Sequence, residues 1–238
     1  MTRTAKMTEN ARMTKSKPTR SDRRTVRNRR ALLNAAEKLI AEAGLDRVTI
    51  DEIAEAADLA KGTFYNYFDD KSEIARELAI TIRREIRDQV GVAEQGIDDP
   101  AGQLVAGIAV CLRTAAVSPA RAGVLGRMYS LWLRPDANKE FLLFKDLEVG
   151  YRTERFSVGD LPAGIVMVVG TVQAGIMRAL ELGESNAIRK LTLVLSELIL
   201  RALGLKSNAA QAIPVKIVAR VFDRDFEQPR EEDRRRRV

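Results

Sequence analysis

Residues 49–71 read TIDEIAEAADLAKGTFYNYFDDK, and this stretch decides how the rest of the chain is read. Thr49 stands where a helix N-cap belongs, and Glu52, three residues on, completes a capping box. Ile53, Ala54 and Ala57 come next at helical spacing, so a short helix is expected from Thr49 to about Ala57. Asp58 and Leu59 form a tight break. A second helix is expected over Lys61 to Phe68, anchored in a core by Phe64 and Phe68, four residues apart. The rest of that helix carries Lys61, Gly62, Thr63, Tyr65, Asn66 and Tyr67. A cation, hydroxyls, an amide and a bare backbone are groups that meet phosphates and base edges. A helix, a short turn and a polar, aromatic-rich helix match the plan of a helix-turn-helix reader.

The residues Ala35-Ala36, Gly44, Val48-Thr49-Ile50, Ile53-Ala54, the run Lys61 to Phe68, and Lys71 together make residues 31–78 resemble the DNA-binding domain of TetR-family transcriptional regulators. The likeness covers about a fifth of the chain. Asp58 stands where the family usually has Gly; Asp tolerates a left-handed backbone better than most residues, which lets the turn survive. Ala60 stands where the family usually has a capping Ser or Thr, a loss of ~1 kcal/mol for the free helix. The resemblance implies that Lys61, Tyr65, Asn66 and Tyr67 meet phosphates or base edges in the major groove. It implies that Gly62 lets the backbone approach, that Thr63 contacts DNA from the same face, and that Thr49 and Lys71 clamp phosphates at two helix N-termini.

Composition narrows the alternatives. The 238 residues are 45% apolar, enough for a sizeable core. The single cysteine, Cys111, rules out an intramolecular disulfide and suits a reducing cytoplasm. With no histidine, Ser-His and Cys-His dyads and histidine metal sites are excluded, so neither a metal nor a cofactor is expected. Neither GxxxxGK[ST] nor GxGxxG occurs. The net charge of +7 is concentrated at the start: residues 1–30 hold 11 Lys/Arg against 2 acids. No apolar stretch comes after these charges, so the start does not read as a secretory signal. Residues 1–24 are expected to be a disordered basic arm, and Arg27 and Arg30 to carry its charge onto phosphates or into a minor groove.

The rest of the chain predicts an all-α architecture. A helix from about Thr25 to Ala43 has Leu32, Ala36, Leu39, Ile40 and Ala43 on one face and stops at Gly44. A linker helix from Asp70, with Ile74, Leu78, Ile82, Ile86 and Val90 every four residues, completes a reader domain of residues 25–90. Because it joins the reader to the rest, it is the expected lever between them. Pro100, Pro119, Pro135 and Pro162 divide the C-terminal portion into helix-length pieces with period-3.6 apolar stripes. Residues 91–204 therefore form a second helical domain. The piece LPAGIVMVVGTVQAGIMRALEL, 161–182, is apolar nearly all round, but Gln173 and Arg178 interrupt it and no aromatic belt flanks it, so no membrane span is expected. Gly164, Gly170, Ala174 and Gly175 would let another helix approach closely. Residues 205–238 suggest one short helix around Ile213, Ile217 and Val221, then a charged tail.

By resemblance, the last two long helices pair with their copies in a homodimer, through Gly164, Gly175, Leu191, Leu195 and Leu198. The second domain then holds an effector pocket, for which Met128, Trp132, Phe144, Tyr151 and Met167 are the large side chains available. An apolar lining suits a small hydrophobic ligand. The expected whole is a cytoplasmic, homodimeric repressor that binds a palindromic double-stranded operator and is released by such a ligand. The rival is an architectural DNA-binding protein without an effector. An enzyme has little support, since no Glu-x-x-His metal motif can occur.

Overall fold

The computed structural model describes residues 19–127 and 142–224, and every regular element among them is a helix. The reader comprises α1 (Arg20–Ala43), α2 (Ile50–Ala56) and α3 (Lys61–Phe64). The linker α4 (Lys71–Glu94) leads to α5 (Pro100–Val117), α6 (Pro119–Arg127), α7 (Leu142–Arg152), α8 (Leu161–Leu182), α9 (Ser185–Ala202) and α10 (Ser207–Phe222).

Helix α1 begins five residues before the expected start. Thr19 caps it, its hydroxyl accepting from the Asp22 N–H at 3.1 Å while Asp22 accepts from the Thr19 N–H at 2.8 Å. The first turns are exposed and Arg-rich, without the apolar stripe that reveals a helix in sequence. The stripe appears where α1 enters the core: Leu32, Ala36 and Ile40 are fully buried. Residues 1–18, the greater part of the expected arm, lie outside the described residues.

Helix α5 runs through the middle of the second domain, where Leu104, Ile108 and Leu112 are fully buried. It packs against α4, α6, α7, α8, α9 and α10. Both α5 and α8 are long and apolar enough to cross a membrane, but most of α5 is buried inside the chain. Its Cys111 is among those buried residues, and burial pushes the thiol pKa up to about 12, so the thiol stays protonated.

Two helices tie neighbouring elements together. Helix α10 is 16 residues long and continues through Pro214. It packs on α5 and α9 and ties the end of α4: Arg220 donates to the Gln95 carbonyl at 2.5 Å and Arg224 to the Val92 carbonyl at 3.1 Å. Helix α6 is the second. Gly123 lets it rest on the backbone of α1, since a Cβ there would lie 3.0 Å from Ala41 Cα and O. Arg121 pairs with Glu37 of α1, Nε to Oε1 3.3 Å, and with Glu85 of α4. Arg127 donates from Nε to the Ala41 carbonyl at 3.2 Å, filling an acceptor left open at the end of α1. The reader is thus gripped from α6 as well as carried on α4.

Candidate nucleic-acid interface

The turn that the sequence left without a glycine is built by Asp58, whose φ is +56°. Asp58 N–H donates to Glu55 O and Leu59 N–H to Ala54 O, both at 2.9 Å. This pair of reversed bonds is the Schellman closure of a helix with a left-handed residue after it. At the other end of α2, Thr49 Oγ1 accepts from Glu52 N–H at 3.2 Å and the Glu52 carboxylate accepts from Thr49 N–H at 2.8 Å. The Thr49 N–H, and after it the Thr49 hydroxyl, which donates to the same carboxylate, hold the Glu52 carboxyl below its ordinary pKa.

Helix α3 has no side-chain cap at Ala60, in line with the residue type. Its regular part ends at Phe64, four residues short of expectation, and Tyr65–Tyr67 continue as a turn closed by Phe68 N–H to Phe64 O at 3.1 Å. Phe64 and Phe68 are fully sunk in the core. Tyr65 is 51% exposed, edge-on to Phe64 with ring centroids 5.6 Å apart. Tyr67 is half-buried against the core, Lys61, Gly62 and Asn66 are exposed, and Thr63 is partly so. A Cβ on Gly62 would meet nothing within 4 Å, so packing within the chain does not require glycine there.

Two cations are engaged within the protein. Lys61 Nζ lies 2.9 Å from Asp51 Oδ2, and that bond raises the ammonium pKa. Lys71 donates to the carbonyls of Leu45, Asp46 and Val48 at 3.1, 3.2 and 3.2 Å. An ammonium has three protons, so Lys71 has none over for a phosphate. The phosphate clamp expected of it gives way to closure of the α1–α2 loop. The Thr49 hydroxyl is likewise occupied, by the Glu52 carboxylate at its side. Lys71→Met should cost ~2 kcal/mol, because hydrogen bonds to charged groups contribute about 1.5–3 kcal/mol and three carbonyls lose their donor. Urea denaturation measures this, and an unchanged midpoint would show that water replaces the ammonium without cost. Of the flanking arginines, Arg27 is exposed and Arg30 is partly buried with a partner inside the chain.

The family described as "Bacterial regulatory proteins, tetR family" matches residues 32–78, which are the end of α1, α2, the turn, α3 and the first turns of α4. Residues 32–78 are thus similar to the DNA-binding segment of TetR-family regulators. An uncharacterized HTH-type transcriptional regulator of Bacillus subtilis, YvdT, is 35% identical over 68 residues, 29% of this chain and 35% of YvdT. A second, Rv1255c of Mycobacterium tuberculosis, is 29% identical over 91 residues, 38% of this chain and 45% of the relative. The alignments thus span less than half of these relatives. Likeness of fold extends further. The crystal structure of RolR with its ligand resorcinol is 26% identical, covers 81% of this chain and 95% of RolR, and has a TM-score of 0.56. The described residues are therefore all-α, with an N-terminal helix-turn-helix and a helical second domain, as in RolR.

The second domain places the other expected residues unevenly. Met128 and Trp132 lie outside the described residues. Phe144 is buried, Met167 packs on the core, and Tyr151 is exposed. Gly175 turns inward: a Cβ there would lie 2.7 Å from Leu195 Cδ1 and 3.5 Å from Leu112, so it seats α8 on α9 and α5 of its own chain. Gly164 is likewise covered by Val158 at 3.5 Å. Leu191 and Leu195 are half-buried and Leu198 is exposed, in company with Val166 and Val194, which the sequence did not single out.

Sequence reasoning also passed over Asp146. It lies on the buried stripe of α7 with Leu143, Leu147 and Gly150, and an acid at that spacing was the available signal. Asp146 is 2% exposed, and burial, then the charge of Glu94, raise its pKa. The folded chain holds this proton more tightly than the unfolded chain, whose carboxyl titrates near 3.8. Its contribution is therefore fully present below that value and is lost as pH rises towards the raised folded value. Asp146→Asn should flatten the fall in urea midpoint between about pH 5 and 8. A slope equal to the wild type's would place the titration elsewhere.

Proposed function

We propose that the protein is a homodimeric, sequence-specific transcriptional repressor that binds a palindromic operator and releases it when a small hydrophobic ligand occupies the second domain. The observation that carries the DNA reading is the α3 turn. Phe64 and Phe68 are spent in the core, while Tyr65, Asn66 and Gly62 face solvent. We assign Lys61, Gly62, Thr63, Tyr65, Asn66 and Tyr67 to the DNA contact, with Arg27 and Arg30 alongside. DNA phosphate competes with Asp51 for Lys61.

The apolar strip on α8 and α9 supports the dimer. Val166, Val194 and Leu198 are each more than half exposed, and most of α8 is not buried inside the chain. A strip of this kind calls for a partner surface. A symmetric pair would set two readers about one helical turn apart, ~34–36 Å. RolR's resorcinol supports a small, largely apolar effector in the second domain. A DNA partner places the protein in the cytoplasm.

Coupling between the domains runs through α6, whose Arg121 holds α1 and α4 together. Arg121→Met should leave DNA binding in place but cut the effect of ligand on it, to less than half in free energy, out of a typical ~1–3 kcal/mol. Parallel operator titrations with and without ligand measure this; an undiminished response would assign coupling to α4 alone. Selection of genomic fragments on the purified protein tests the function as a whole. One strong palindrome is the expected result, whereas broad occupancy would favour the architectural reading.

A further inference from the structure

The helix-turn-helix stretch is itself acidic. Residues 49–71 hold six acids, Asp51, Glu52, Glu55, Asp58, Asp69 and Asp70, against two lysines. Lys71 gives its three protons to the carbonyls of Leu45, Asp46 and Val48. Lys61 is therefore the cation that this stretch can offer to a phosphate, and it is held: its Nζ lies 2.9 Å from Asp51 Oδ2. Asp51 is the second residue of α2 and Lys61 the first of α3, so the pair bridges the two helices. It does so over a shallow, open hollow lined also by Glu55 and Asp58. Both side chains of the pair are more than half exposed, within reach of a duplex. Basic charge stands elsewhere. Arg20, Arg23, Arg24 and Arg27 are exposed at helical spacing i, i+3, i+4 and i+7, one stripe along the first turns of α1.

We propose that Asp51 is a specificity-determining residue, which holds Lys61 back from DNA phosphates in general and aims it when the reader is seated in its operator. This rests on the DNA reading above and adds the residue that separates right from wrong sequence. On a duplex of unrelated sequence, binding comes from phosphate charge alone. A phosphate that takes Lys61 there must displace Asp51, and it leaves that carboxylate unneutralised beside the duplex. In the seated complex, the ammonium keeps Asp51 with one proton and has two more for a base edge or a phosphate. The carboxylate then fixes the direction in which those two point. The α1 stripe supplies the attraction common to all sequences, and the Asp51–Lys61 pair withholds more of it at the reader. Discrimination is a difference of affinities, so weakening the wrong complex raises it as surely as strengthening the right one.

Fluorescence anisotropy on the full chain, over a series of salt concentrations, tests this with two duplexes of equal length: the operator selected from genomic fragments and one of mixed sequence. Asp51→Asn should raise affinity for the mixed-sequence duplex about two- to fivefold, the range an exposed ion pair supports. It should also steepen the salt dependence there by about 0.9, one phosphate contact. Operator affinity should not rise, so the ratio of the two affinities falls. Glu55→Gln removes the same charge one turn along α2 and should have less than half the effect. In a Lys61→Met background, Asp51→Asn and Glu55→Gln should act alike. A pair that only braces α3 would, once broken, weaken both duplexes and leave the salt slope unchanged. That result, an equal rise on both duplexes, or equal effects of Asp51→Asn and Glu55→Gln with Lys61 in place, overturns the assignment of Asp51. If the unaltered protein binds neither duplex even at low salt, the DNA reading itself is rejected and this inference with it.

Discussion

Tyr65→Ala is expected to lower operator affinity by about a hundredfold while leaving the folded chain as stable as before. The expectation comes from where the side chain sits. Tyr65 is half exposed and lies edge-on to Phe64. An exposed aromatic lost from a protein surface changes stability by no more than about 0.5 kcal/mol. Lost from a DNA interface, it removes a base or phosphate contact, and each good contact is worth about 1–3 kcal/mol. Gly62→Ala sharpens the distinction. No atom lies within reach of the new methyl, and alanine favours helix by roughly 0.5–1 kcal/mol over glycine. The variant should therefore melt at the same temperature or slightly higher, yet bind operator at least tenfold more weakly if the backbone approaches the duplex there. Thermal melts and fluorescence anisotropy on one preparation give both numbers. Stable variants with undiminished affinity would move the interface away from α3.

The second large effect is expected at the α8–α9 strip. Leu198→Glu places a charge on an exposed apolar side chain and disturbs little inside its own chain. In a symmetric interface the substitution appears twice, with the two carboxylates near one another in a drying seam. Dimers should dissociate at micromolar concentration, and affinity for a two-half-site operator should fall by two orders of magnitude or more. Val194→Glu should do the same. Gly175→Arg, by contrast, would drive a side chain into Leu195 and Leu112, so it would damage the fold rather than the seam. Sedimentation and circular dichroism separate the outcomes: a folded monomer from Leu198→Glu, a destabilised chain from Gly175→Arg. A Leu198→Glu variant that remains dimeric would remove the strip from the interface.

Several of these features are visible in the amino-acid sequence because their physics is local. The Thr49/Glu52 box, the Asp58 turn and the Phe64/Phe68 pair each depend on residues a few positions apart, and the structure forms all three. Pro100 and Pro162 open α5 and α8 at their first turns for the same reason. The start of α1 was hidden because an exposed, Arg-rich turn has no apolar period; only the Thr19/Asp22 box marks it. Pro214 obscured α10, whose continuity is supported by packing on α5 and α9. Long-range facts were the least legible. A glycine on an apolar helix announces a close approach without saying to what, and Gly175 proved to face its own chain. The grip of α6 on α1 depends on Gly123 meeting Ala41 and Arg121 meeting Glu37 and Glu85, pairs set by tertiary contact alone. Lys71 shows the same limit at the reader: its position beside a helix N-terminus suggested a phosphate, and three carbonyls 23 to 26 residues earlier claim it.

The central claim is that two linked copies of the α3 turn read one symmetric site. Sedimentation of the full chain with its selected operator, intact and cut to a single half-site, tests this most directly. The intact palindrome should bind an even number of chains cooperatively, and the half-site should lose affinity by at least a hundredfold. A single chain bound to the intact palindrome, or equal affinity for the half-site, would contradict the account.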